Sequence, residues 1–446
     1  MNPKICENLV NTYNTNILDS EDKKIKEEFL KLSLKYRKGN KGKKVLMELI
    51  CNHFNRDPLK QKPKPAFIGG PQNLTVHLSE EHQKIIYIFG EYYSDVIDCH
   101  RFKDDISKKK MLDEPNAEKM SFEYFLEELV RTTDVFLDIF LEFPAMNKGD
   151  KSYNYNFDPF SNIDSSNIRL KKLFKKFKNC VTRSDHKCRL ARFHYFDTRF
   201  YDNKGVLEGV NIVSSFRLNV YNIITTFHKE EWASKFKDLL KNNQNFIDML
   251  TNLNSEKVLN FFMTQTRNKY VEKELDKIDK DIYKAIINFA EDEIKERIVL
   301  YKPLWRRNVP IILNSKRSDT SFVNCFMEIF NSTLYINSLV ASMYLLARIF
   351  KNFDNQDQSL IDQPSKAHNI IIYAGDKHSE LCRKFLNKNI DFKQIADSGI
   401  KEIIPGDNMH CLNMKTIQQP FFSEWLFNTK KVGFFRSMLS YFFKII

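Results

Sequence analysis

A chain of 446 residues, 42% hydrophobic and 13% aromatic, excludes a disordered or fibrous protein and leaves room for a sizeable core. Twelve Gly and 13 Pro exclude collagen-like and low-complexity classes. Seventy Lys and Arg against 57 Asp and Glu leave a net charge of +13, which invites an acidic partner such as nucleic acid or an anionic membrane.

Residues Met1 to Asn8 contain no apolar core of signal-peptide length, so the chain is expected not to be secreted. Residues 20–55 read as helix, with Phe29, Leu32, Leu34, Leu46, Leu49 and Ile50 among charges. Lys60 to Pro65 alternates prolines and reads as a linker. Beyond it, Leu74–Leu78 alternates and Lys84–Phe89 is continuously apolar after its lysine, with the polar turn Ser79–Gln83 between them: a hairpin whose second strand is covered on both faces. A helix is expected from Ser121, as cap, to Arg131, then a second apolar run over Asp134–Leu141 and a third strand over Arg192–Asp197.

From about Val213 to Lys302 the pattern is mostly helical. Ile329–Ala347 is uncharged and about as long as a membrane span, but Asn331, Asn337 and its hydroxyl residues favour a buried core helix. Asn369–Ala374 is the last strong strand, followed by a helix over Ser379–Leu386. The aromatic tail from Phe434 to Lys444 is expected to pack on its own domain rather than lie on a membrane. Strands alternating with helices imply an α/β fold: a mostly parallel central sheet flanked by helices, with a large helical insertion and an N-terminal helical segment. The boundaries expected are 1–65 for that segment and linker, 66–212 for the first part of the α/β domain, 213–365 for the insertion and 366–446 for the rest. The eight cysteines are scattered without a CxxC pair, so reduced thiols and no disulfide framework are expected.

Each apolar run ends in chemistry. Gly90-Glu91-Tyr92-Tyr93 closes the first, Glu142-Phe143-Pro144 the second, and Gly375-Asp376-Lys377-His378 the last; the third segment reads Arg192-Phe193-His194-Tyr195-Phe196-Asp197-Thr198-Arg199. Ligands of open α/β sheets bind outside the carboxyl ends of the strands, so these groups are expected to share a crevice. Gly90 and Gly375 would let the backbone turn sharply or approach a ligand. Carboxylates with histidine can ligate a divalent metal that activates water, or act directly as general base and acid. The expected roles are Glu91 and Glu142 as general base or, with His378, as metal ligands; His378 and His194 as acid/base groups; and Asp376 orienting His378. Arg192, Arg199 and Tyr93 would line the substrate side. His77 and His82 flank the turn and read as surface residues. No Walker loop, dinucleotide fingerprint, Gly-x-Ser-x-Gly or His-Glu-x-x-His occurs, which removes kinase, dehydrogenase, serine-esterase and zincin readings.

The run Gly69-Gly70-Pro71-Gln72-Asn73-Leu74-Thr75-Val76-His77, continuing to Gly90-Glu91, resembles uncharacterised proteins of large nucleocytoplasmic DNA viruses of the mimivirus-like group. More remotely, Gly-Glu after an early strand and Gly-Asp-x-His after a late one look like the superfamily of erythromycin esterases, ChaN-like lipoproteins and TraB/TIKI metalloproteases. That resemblance implies an α/β hydrolytic fold with a Glu and two His at the strand ends, whereas the viral resemblance implies a location in host cytoplasm or virion. Tyr93 stands where that pattern has its first histidine; tyrosine is a poor replacement for a neutral imidazole ligand.

Residues 165–204 hold twelve Lys and Arg against three Asp. Leu170, Leu173, Phe174 and Phe177 recur at helical spacing within it, giving an amphipathic basic helix whose Lys171, Lys172, Lys175 and Lys176 suit a phosphate backbone. Two functions follow as expectations: a hydrolase-like pocket, with or without a divalent metal, taking an acidic substrate; or a non-enzymatic basic protein that binds nucleic acid or a virion component.

Overall fold

The computed structural model of the protein describes residues 63–91, 119–133, 135–144, 168–181, 188, 190–197, most of 219–270, 271–353, 364–399, 411–419 and 421–422. The helix expected over 20–55, the aromatic tail, Tyr93 and Arg199 lie outside the described residues.

Six strands form the main sheet: β2 (Asn73–Ser79), β3 (Lys84–Glu91), β5 (Leu137–Pro144), β6 (Ala191–Asp197), β7 (Asn369–Gly375) and β8 (Lys393–Gly399). Their spatial order is β6-β5-β7-β3-β2-β8. The expected hairpin is present, with Asn73 opposite Gly90 and Ser79 opposite Lys84. β3, β5, β6 and β7 run parallel, whereas β2 is antiparallel to both β3 and β8. The sheet is therefore mixed rather than mostly parallel. The reason is local: a short polar turn can only reverse the chain, and β8 pairs with the reversed strand. A second, three-stranded sheet joins β1 (Phe67–Gly69), β4 (Lys119–Ser121) and β9 (Cys411–Asn413).

Both faces of the main sheet are covered, which explains why β3 and β7 read as continuous apolar runs. One face carries Tyr87, Phe89, Ile139, Leu141, Phe193, Ile371 and Tyr373, and packs against α1 (Phe122–Thr132) and α2 (Ile168–Val181) through Phe122, Phe125, Leu129, Leu173 and Phe177. The other carries Ile86, Ile88, Phe140, Phe196, Ile370 and Ile372, and meets the helical layer. That layer comprises α3 (Trp232–Asn242), α4 (Ser255–Thr266), α5 (Lys269–Leu275), α6 (Lys280–Asn314), α7 (Thr320–Phe350) and, after β7, α8 (Asp376–Asn389). Asp279 and Asp319 start α6 and α7 by accepting backbone N–H bonds from Asp281 and Phe322. Within the uncharged stretch 329–347 of α7, Ile329, Tyr335, Leu339 and residues 341–347 are buried while Asn331 is exposed, and no described helix is long and apolar enough to cross a membrane.

Two expectations change here. Cys180, on the buried stripe of α2, is disulfide-bonded to Cys188, with a Cα–Cα distance of 5.4 Å, and Cys411 is disulfide-bonded too. Helix α2 ends one residue after Cys180, and the chain returns beside it to enter β6, so proximity set by the fold overrides the absence of a sequence pattern. His77 is fully buried rather than on the surface, because β2 is covered on both faces. Its ring bridges Thr75 Oγ1 and Asn387 Oδ1, both at 2.9 Å, and burial pushes its pKa down to about 4. His82 is half-buried and stacks on Phe392.

Candidate active site at the strand ends

Helix α8 begins at Asp376, three residues earlier than expected, so Gly375 is at once the last residue of β7 and the N-cap of α8. This tight junction folds His378 back over the strand ends. Glu142, near the end of the neighbouring parallel strand β5, points to the same face. Its Oε2 accepts the Gly375 backbone N–H at 2.6 Å, a favourable placement for a carboxylate against a helix amino end. Its Oε1 lies 3.2 Å from His378 Nε2. The approach is close but off line, and among the described residues the buried His378 Nε2 has no hydrogen-bond partner. On the ring's other side, Nδ1 lies 3.0 Å from Ser342 Oγ on α7, and Phe196 meets the ring edge-on. His378 is 2% exposed and Ser342 fully buried.

The other expected residues do not join this pair. Glu91 pairs in register with Gly375, and its carboxylate lies on the α1 side of the sheet, where it accepts the Tyr373 hydroxyl at 2.6 Å. Strand pleating alternates side chains, so Glu91 and Glu142 project from opposite faces. Glu91, Glu142 and His378 therefore do not converge on one metal ion, and no group of three or more His, Cys, Asp and Glu suited to a metal occurs among the described residues. Asp376 does not orient His378; it accepts from Asn73 Nδ2 at 2.7 Å and from Arg383 at 3.4 Å. Gly90 serves this contact rather than a turn or a ligand: a Cβ there would meet Asn73 Oδ1 at 2.4 Å. Gly375 has an ordinary φ of −54°.

His194 and Arg192 belong to a separate buried network further back along the strands. Arg192 Nε donates to Asp138 Oδ1 at 2.6 Å, and its guanidinium lies 3.6 Å over the Phe353 ring. His194 Nε2 meets the same Asp138 oxygen at 2.8 Å, and its Nδ1 meets Arg348 at 2.8 Å. An arginine can only donate, so His194 is neutral, protonated at Nε2, with both nitrogens committed. Burial above all pushes its pKa to about 3. Burial alone would raise Asp138, but Arg192 and the His194 N–H outweigh it and hold the carboxyl at about 2. The expected substrate-binding role of Arg192 thus gives way to a structural one: its charge is already matched inside the fold. Lys84 extends the network; it donates to the Ala367 carbonyl, and burial pushes its pKa down to about 7 against the pull of Asp138.

The basic helix is α2. Leu173, Phe174 and Phe177 are buried, Lys172 and Lys175 face solvent, and Lys176 pairs with Glu127 while lying 4.1 Å over Tyr124. Lys171 is half-buried.

Sequence reasoning missed Ser342, Asn73, Asp138 and Lys84. Ser342 sits unmarked in an uncharged run, and Asp138 was legible only as an odd charge inside an apolar strand, a signal that a partner is needed. No protein-family model, curated protein or solved structure matches the chain.

Proposed function

We propose that the carboxyl-terminal edge of the sheet is a hydrolase-like acid–base site centred on His378 and Glu142. The observation that carries it is the buried His378 Nε2, which has no hydrogen-bond partner among the described residues although a carboxylate oxygen stands 3.2 Å away. A buried polar atom left unspent has a cost of about 1–3 kcal/mol, and functional sites are where such costs are retained. In this reading a water molecule donates to Nε2 and to Glu142 Oε1. Nε2 takes the proton as the water oxygen attacks a carbonyl or phosphoryl centre, and the same proton passes from Nε2 to the leaving group as the scissile bond breaks. Glu142 offsets the charge that forms on the ring. The Gly-Asp-x-His turn that supplies His378 is also part of the remote resemblance to the erythromycin esterase and TIKI-type superfamily. An origin in a large DNA virus, with a place in host cytoplasm or virion, belongs to the same proposal.

The test is a panel of chromogenic carboxyl esters, phosphomonoesters, phosphodiesters and peptides. The wild type should hydrolyse one class, and Glu142→Gln and His378→Asn should each lose about a hundredfold or more with unchanged circular dichroism. No hydrolysis of any class by wild type, or undiminished rates in both variants, overturns the reading.

A second reading rests on α2. Its apolar stripe is in the core while Lys172 and Lys175 are in water, so it can track an acidic polymer along the surface. It predicts retention on DNA at low salt and steep loss at moderate salt.

A further inference from the structure

We infer that Ser342 is a positioning residue that sets the tautomer of His378 and thereby makes Nε2 the proton acceptor of the strand-end site; this rests on the acid–base reading given above. Ser342 lies inside α7, and its hydroxyl donates to the carbonyl of Ser338, one turn back, at 2.9 Å. A hydroxyl has one proton. With that proton directed to Ser338, only oxygen lone pairs face His378 Nδ1 at 3.0 Å, so Nδ1 must be the nitrogen that carries hydrogen. A neutral imidazole then has a bare lone pair at Nε2.

The surroundings of Nε2 agree with this assignment. Among the described residues it lacks a hydrogen-bond partner, and Glu142 Oε1, out of line at 3.2 Å, is itself an acceptor. A bare lone pair beside a carboxylate suits a group that brings a donor to Nε2, and a water molecule is the smallest such group. Glu142 is in turn held by the Gly375 N–H at 2.6 Å, so it is not free to swing into line with the ring. Phe196 meets the ring edge-on at 5.8 Å between centroids, which leaves the hydroxyl as the polar contact that fixes its rotation on the helical side. The arrangement is the reverse of His194, whose Nδ1 accepts from Arg348 and whose Nε2 donates to Asp138. Two buried histidines on the same face of the sheet are thus held in opposite tautomers, one spent and one available.

The experiment is long-range proton–nitrogen NMR correlation on histidine-labelled full-length protein, comparing wild type, Ser342→Ala and Ser342→Thr, with His378→Asn to assign the signals. Wild type should show hydrogen on Nδ1 of His378 and an unprotonated Nε2. Ser342→Ala removes the acceptor that holds hydrogen on Nδ1 and should shift the ring to the Nε2–H form, whose hydrogen lies beside the Glu142 carboxylate, and Ser342→Thr, which keeps the hydroxyl, should restore the wild-type pattern. On whichever substrate the wild type turns over, Ser342→Ala should reduce kcat at least about tenfold with little change in KM. Hydrogen on Nε2 in wild type, or a ring unchanged in Ser342→Ala, overturns the inference. The ring signals need no turnover, so the expected tautomers in a protein that hydrolyses nothing would retain Ser342 as the positioning residue and remove only the hydrolytic reading.

Discussion

Glu91 and Glu142 close strands on either side of β7, yet they project from opposite faces of the sheet, Glu91 to the Tyr373 hydroxyl and Glu142 to His378. Two acids that end apolar runs look equivalent in sequence. The pleat separates them by a single residue of phase: Phe89 and Leu141 both pair with Tyr373, so the residue two after Phe89 and the residue one after Leu141 are out of step. One carboxylate becomes part of a buried structural bond, the other part of the candidate site.

The Glu91–Tyr373 bond should be measurable as stability alone. Tyr373 is fully buried and stacks on Phe122, so Tyr373→Phe keeps the packing and removes one donor from a buried carboxylate. Urea unfolding should show a loss of about 1–3 kcal/mol. An unchanged midpoint would mean that the hydroxyl contributes nothing to holding Glu91.

Gly90 is required by its neighbour rather than by its own backbone. In Gly90→Ala the new methyl displaces the Asn73 side chain, which holds Asp376 at 2.7 Å and receives Arg383 at 2.8 Å. A destabilisation of about 1–3 kcal/mol is expected, partly relieved when Asn73→Ser is added. Simple additivity of the two substitutions in a double-mutant cycle would contradict the contact.

The buried basic groups fix the sign of the pH response. Lys84 has a folded pKa near 7 against 10.5 for an ordinary lysine, so between those values the unfolded chain binds a proton that the folded chain has released. Stability should therefore rise with pH across that window, on the order of a few kcal/mol, and the cost should be fully present below pH 7. Lys84→Met should flatten the rise in urea midpoints; parallel curves for the two proteins would contradict it.

His77 and His194 act at the acid side. Their folded values, about 4 and about 3, lie below the ordinary 6.5, so stability should fall as pH drops from 6.5 toward 4. Thermal melts of His77→Gln should lose part of that acid sensitivity, since an amide can bridge Thr75 and Asn387 without titrating. A wild-type melting temperature constant from pH 6.5 to 4 would show that neither histidine is held neutral.

Charge reversal at the solvent-facing positions of α2 separates the two functional readings. Lys172→Glu with Lys175→Glu should leave the fold and any hydrolysis intact, because both side chains are exposed. Retention on DNA, if α2 is the contact, should disappear with them; undiminished retention would place the basic contact elsewhere.

Much of the architecture was legible because apolar runs with a fixed period leave few alternatives. β3 reads as a doubly covered strand and β5 and β7 as apolar runs, and α1 starts at Phe122, directly after the expected cap Ser121, whose hydroxyl makes no capping bond. β8 was invisible: Lys393-Gln394-Ile395-Ala396-Asp397-Ser398-Gly399 is an edge strand, largely exposed, with no apolar run to mark it. The mixed character of the sheet comes from the reversed strand β2, whose hairpin with β3 was legible although its consequence for the sheet was not. At the site, the strand-end acids and His378 were visible as residue types. Their facing was not, because it depends on a register that only the assembled sheet defines, and Ser342 depended on how a distant helix packs over that sheet. Arg192 and His194 looked like a polar rim, but Asp138 on the neighbouring strand draws both inward.

The most direct test of the central claim compares Glu142→Gln, His378→Asn and Glu91→Gln on one substrate that the wild type hydrolyses. The two-residue site predicts near-complete loss in Glu142→Gln and His378→Asn, and turnover retained in Glu91→Gln with a lowered melting temperature. Turnover abolished by Glu91→Gln in a folded protein, with Glu142→Gln still active, would contradict the assignment and move the chemistry to the opposite face of the sheet.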